Sequence, residues 1–79
     1  MKEREDKIRF KDAIKHMRES AGYTQTELAN KLQIPQQTFS AYERNHNKPT
    51  LEMVTKVADA CDFQIIIADK ESSEQLIIE

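Results

Sequence analysis

Apolar residues along the first sixty positions recur at helical spacing and then switch to alternation. Phe10, Ile14, Met17 and Ala21 recur at four, three and four residues, with Ala13 widening the stripe, which predicts a helix established by about Ile8. Gly22, the only glycine in the chain, ends it where a left-handed cap is most useful. Leu28, Ala29 and Leu32 predict a second helix. Thr24 stands before it with Glu27 three residues on, the capping-box spacing, and Tyr23 and Leu28 are placed to staple its start. Pro35 lacks an amide proton and pushes Ile34 out of helical geometry, so Gln33 to Pro35 is a turn and Gln36 to Arg44 a third helix. Thr50 caps a fourth, with Leu51, Val54, Ala58 and Cys61 as its inner stripe, Val57 beside them and Met53 at the margin.

From Phe63 the period changes to two. Phe63, Ile65 and Ile67 alternate with Gln64, Ile66 and Ala68, and the three successive isoleucines are β-branched, which predicts a strand. Residues 69–73 form a polar connector, and Gln75 to Ile78, including Leu76 and Ile77, predict a second short strand. Two strands alone are marginal in water, and this segment is apolar on both faces. Pairing and packing of Phe63, Ile65, Ile66, Ile67, Leu76, Ile77 and Ile78 between two copies of the chain would cover both. The alternative is a disordered tail after Ala68.

The helices around the turn carry the chemistry. Phe39 and Tyr42 lie three apart on one side of the third helix, which leaves Gln36, Gln37, Ser40, Ala41 and Arg44 to face outward or flank that side. Glutamine can bond adenine N6 and N7 with both arms, and alanine can meet a thymine methyl; a good bidentate pair discriminates by roughly 1–3 kcal/mol. The plain alternative is a polar face that only solvates a helix.

Gln25, Ala29, Phe39 and Tyr42-Glu43, at these spacings, resemble the lambda-repressor-like (Cro and phage-repressor, XRE) helix-turn-helix family over about residues 8 to 62. The resemblance implies a mostly α fold: a four- to five-helix lambda-repressor-like domain over residues 1–62, with residues 63–79 as a short C-terminal β strand or hairpin for dimerisation. It implies that Gln25, beside Thr24, bonds a DNA phosphate from the helix start. Base reading would fall on Gln36, Gln37 and Ala41, with Thr38 and Ser40 adjacent, and Asn47 and Lys48 would touch the backbone from the following loop. The chain departs from the family by placing Gln33, Asn45 and Asp62 where glycine is usual. Asn and Asp tolerate positive φ; Gln33 is expected to adopt it at a cost on the order of 1–2 kcal/mol. Pro35 stands where the family often caps with serine, so the third helix is expected to start from a proline-favoured first turn.

Composition narrows the possibilities further. Seventy-nine residues, 38% hydrophobic and 33% charged, suffice for one modest core. The net charge of −2 conceals an asymmetry: residues 1–50 carry ten Lys or Arg against seven acids, residues 51–79 two against seven. That directs the first part toward phosphate and the second away from it. The charged first residues lack the apolar stretch of a signal peptide, and Ile65 to Ala68 is too short to span a bilayer, so no membrane association and a cytoplasmic location are expected. Cys61, alone, fits a small buried side chain, and His16 and His46 have no companions at metal-ligand spacing, so neither metal nor cofactor is expected. No catalytic set or phosphate-cradling glycine loop argues for an enzyme. The leading reading is a sequence-specific DNA-binding regulator, a repressor that occupies an inverted repeat of double-stranded DNA as a homodimer. The alternatives are an antitoxin that also binds a toxin, and an interaction module without DNA binding.

Overall fold

The computed structural model describes residues 8–78 as four helices and an antiparallel hairpin: α1 Phe10–Ala21, α2 Gln25–Leu32, α3 Gln36–Glu43, α4 Leu51–Ala60, β1 Ile65–Ala68 and β2 Gln75–Ile78. The charged stretch expected at residues 1–7 lies outside the described residues. Helix α1 begins two residues later than the periodicity suggests. Arg9 is extended and its carbonyl is the acceptor for the Ala13 amide at 2.8 Å, so Ile8 precedes the helix and stays exposed.

Each helix sends one large side chain fully into the core. Ile14 comes from α1, Leu28 from α2, Phe39 from α3 and Val57 from α4, with Met17, Ala29, Val54, Ala58 and Cys61 around them. No helix can separate without opening that core, which is how helices as short as α2 and α3 persist. Phe39 also meets Tyr42 edge to face, centroids 6.3 Å apart. Leu51 and Ala21, both expected in the apolar stripes, lie outside the core, and the Phe10 side chain lies outside what is described. Leu51 is 56% exposed and Ala21 is exposed as well, because each falls in the terminal turn of its helix, beyond the reach of the neighbouring helices.

All four helices end the same way. After each, one residue turns left-handed and two backbone amides close back on the last turn: Gly22 (φ 83°), Gln33 (φ 62°), Asn45 (φ 61°) and Asp62 (φ 65°). The amide one residue further on donates to Arg18, Ala29, Ala41 and Ala58 respectively, at 2.8–3.1 Å. Only the first of these positions is glycine. Gln33 therefore adopts the expected strained conformation, and the turn between α2 and α3 is held by its own hydrogen bonds rather than by the ease of a glycine. At the other ends, Thr24 accepts from the Glu27 amide while Glu27 accepts from the Thr24 amide, completing the capping box, and Thr50 accepts from the Met53 amide at 3.1 Å.

The hairpin pairs Ile65 with Ile78, Ile66 with Ile77, Ile67 with Leu76 and Ala68 with Gln75. Side-chain-to-backbone bonds shape its connector: the Glu71 amide donates to Asp69 and the Glu74 amide to Ser72. Ile65, Ile67 and Ile78 turn toward α1 and α4, lining an apolar groove of about 580 Å³ with Ala13, Met17, Leu51, Val54 and Phe63. His16 stacks edge-on against Phe63 at 5.8 Å beside this groove. Ile66 and Ile77 face the other way and are 47% and 56% exposed.

Candidate nucleic-acid interface

Helix α3 lacks a side-chain cap. Pro35 is extended (φ −62°, ψ 144°), and its carbonyl accepts from the Thr38 and Phe39 amides at 3.1 and 3.2 Å, so proline takes the cap position itself and Gln36, not proline, opens the first turn. Phe39 anchors the inner side at zero exposure, and the helix is rotated by that anchor. Gln36 and Gln37 are exposed in consequence, and Thr38, Ser40 and Ala41 are half-buried along the flank. The face combines two free amides, hydroxyls and a methyl. Arg44 ends the helix, exposed, with its Nε donating to the Ser40 carbonyl at 3.4 Å. Asn47 and Lys48 follow on an exposed loop.

At the start of α2 Thr24 is engaged as the expected cap, and Gln25 does not stand free. Its Nε2 donates to Glu43 Oε1 at 2.9 Å. The same carboxylate accepts from Arg18 Nε at 2.6 Å and Arg18 Nη2 at 3.1 Å, while Arg18 Nη1 donates to the Tyr23 carbonyl at 2.9 Å. The Arg18 and Glu43 side chains are only 12% and 5% exposed. The Glu43 hydrogen bond and charge hold the Arg18 guanidinium pKa above its ordinary value, against the opposing effect of burial, so the guanidinium keeps its charge.

Sequence reasoning on periodicity and candidate DNA-reading residues missed Arg18. It took Glu43 only as part of the resemblance. A signal was available: each lies four residues after a fully buried side chain, Arg18 after Ile14 and Glu43 after Phe39, so each charge sits over the rim of the core. A charged side chain in that position needs a partner, and these two have opposite sign.

Among the described residues, no group of three or more His, Cys, Asp or Glu side chains could hold a metal ion, and no helix is long and apolar enough to cross a membrane. Burial pushes the Cys61 thiol pKa up, with Arg18 and Lys31 opposing it, and the side chain packs in the core.

Comparison with known proteins agrees with this geometry. The helix-turn-helix family matches residues 14–65. Antitoxin HipB of Escherichia coli K12 is 34% identical over 73 residues, covering 86% of this chain and 83% of that protein. The cryptic phage CTXphi transcriptional repressor RstR of Vibrio cholerae is 28% identical over 58 residues, covering 73% of this chain and 52% of its own length. A solved complex of a HipB variant with an O2 20mer superposes with a TM-score of 0.67 at 30% identity, covering 86% of this chain and all of the other. With the capped α2, the tight turn at Gln33 and the exposed α3 in the places the fold requires, the chain belongs to the XRE-type helix-turn-helix family and is a DNA-binding regulator.

Proposed function

We propose that the protein is a transcriptional repressor that binds an inverted-repeat operator as a homodimer. The exposed amide face of α3 over the buried Phe39 carries this reading: Gln36 and Gln37 are free to meet base edges, with Ala41 beside them for a thymine methyl. Gln25, Asn47 and Lys48 bind the flanking phosphates and set the register. Dimerisation runs through the C-terminal hairpin, residues 63–79, which adds to the helix-turn-helix unit of residues 1–62. Exposed Ile66, Ile67, Leu76 and Ile77 and the apolar groove beneath the hairpin support it, since isolated apolar hairpins of this length need a cover. Two α3 helices related by a two-fold axis then enter successive major grooves about 34 Å apart.

Selection of binding sites from random duplexes, followed by footprinting, tests this reading. The expected product is an inverted repeat with its half-sites one helical turn apart. A single unrepeated site, or binding without sequence preference, would overturn it.

The relationship to HipB, named as an antitoxin, favours a second role for the same molecule: repression of its own promoter together with capture of a toxin. Co-expression with the product of a neighbouring gene and co-purification at stoichiometric ratio tests that role; a partner absent from the purified complex argues against it.

A further inference from the structure

The phosphate contact assigned to Gln25 in the proposed function rests on a neutral side chain, and the structure shows what holds that side chain in place. We infer that Glu43 and Arg18 are positioning residues for DNA backbone binding: together they fix the Gln25 carboxamide so that one N–H is turned toward Glu43 and the other is left for a phosphate.

The argument starts from donors and acceptors. An ionised carboxylate only accepts, so Gln25 must turn its nitrogen, not its oxygen, toward Glu43, as the 2.9 Å contact shows. Nε2 has two hydrogens and this bond uses one. The second belongs to a group whose orientation is already set, at the first position of α2, where free backbone amides and the positive end of the helix dipole favour an anion. A phosphate also only accepts, so the same nitrogen can serve both.

Two anions sharing one NH2 group would repel each other. Arg18 removes the difficulty by placing its guanidinium on both oxygens of Glu43, leaving the carboxylate with its charge balanced and its geometry fixed. Its third bond, to the Tyr23 carbonyl, ties the arrangement to the residue just before the α2 cap. The last residue of α3 thus holds the first residue of α2, and the phosphate contact is kept in register with the base-reading helix.

A neutral amide displaces no counterion, so loss of this contact should lower affinity without changing the salt slope, unlike loss of a lysine contact. Gln25→Ala is compared with the paired variant Arg18→Met/Glu43→Leu and with all three changes together. The probes are a duplex selected by this protein and one of random sequence, over a range of salt. Gln25→Ala and the paired variant should each lose about tenfold on both duplexes at unchanged slope. Adding Gln25→Ala to the paired variant should cost little more.

If Gln25→Ala weakens binding and the paired variant binds like the parent, the positioning role is overturned while the phosphate contact stands. If Gln25→Ala binds like the parent, the phosphate contact falls and the inference falls with it. A second measurement needs no substitution. On adding either duplex to the intact protein, the Gln25 side-chain amide protons should shift in NMR spectra while those of exposed Gln64 stay put; equal shifts for both would overturn the inference.

Discussion

Arg18 and Glu43, 25 residues apart, meet in a two-pronged ion pair at 2.6 and 3.1 Å, at the rim of the core where α1 crosses α3. Removing one member leaves the other charged, largely out of water and without its main partner: Arg18 keeps only a 3.9 Å contact with exposed Glu19 and its bond to the Tyr23 carbonyl, and Glu43 only the Gln25 amide. Glu43→Ala or Arg18→Ala should therefore cost about 3 kcal/mol, a large share of the stability of so small a domain, whereas Arg18→Met/Glu43→Leu should recover most of it. Urea denaturation of the three variants measures this; equal destabilisation by single and paired changes would show that the pair is not the source.

The left-handed residue of the turn makes an opposite prediction. Gln33 holds φ 62° with a full side chain, so Gln33→Gly should relieve strain and stabilise by about 0.5–1 kcal/mol after the added flexibility of glycine in the unfolded chain is counted. A domain of this size should then melt roughly 2–8 °C higher. An unchanged or lower melting temperature would mean that the Gln33 side chain contributes contacts that outweigh its backbone strain.

Base reading and backbone binding should separate by residue. Gln37→Ala should relax preference at one or two base pairs, losing about 1–3 kcal/mol on the selected site and little on random DNA. Lys48→Ala should weaken every site alike and reduce the salt slope by about 0.9 per protomer. Binding-site selection and salt titrations read the two effects. A uniform loss from Gln37→Ala would place that residue on the backbone instead.

A charge on the outer face of the hairpin should break self-association. Ile66→Asp or Ile77→Asp would desolvate a carboxylate in any interface that covers these side chains, leaving the helical domain intact. Sedimentation should show a dimer for the parent at micromolar concentration and a monomer for the variants, with weaker operator binding. A monomeric parent would remove the dimer from the proposed function.

Cys61 makes stability fall at alkaline pH. Burial raises its pKa in the fold above the unfolded thiol value, so between the two values the unfolded chain has lost a proton that the folded one keeps. The contribution is fully present below the unfolded value of about 9 and is lost as pH rises through the folded one. Denaturation midpoints should decline more steeply above pH 9 for the parent than for Cys61→Ala. The thiol should also resist alkylation until the protein unfolds.

Periodicity and turn chemistry determined much of this molecule from the sequence alone: four helices, the capping box at Thr24 and Glu27, the break at Pro35, the hairpin, and the outward amides of Gln36 and Gln37. These follow from rules that act within a few residues of each other, so the order of residue types is enough to state them. The left-handed backbone at Gln33 was legible only through the family resemblance, which places a glycine at that position. What only the tertiary structure decided depends on distant segments meeting. Leu51 reads as core by spacing yet lies at the rim, because the packed helices stop short of the first turn of α4. Arg18 and Glu43 read as two more surface charges until the crossing of α1 and α3 brings them together and hands the carboxylate to Gln25. Local patterning says which side of a helix is apolar; which charges at its border will be buried, and against what, is set by the angle at which the helices cross.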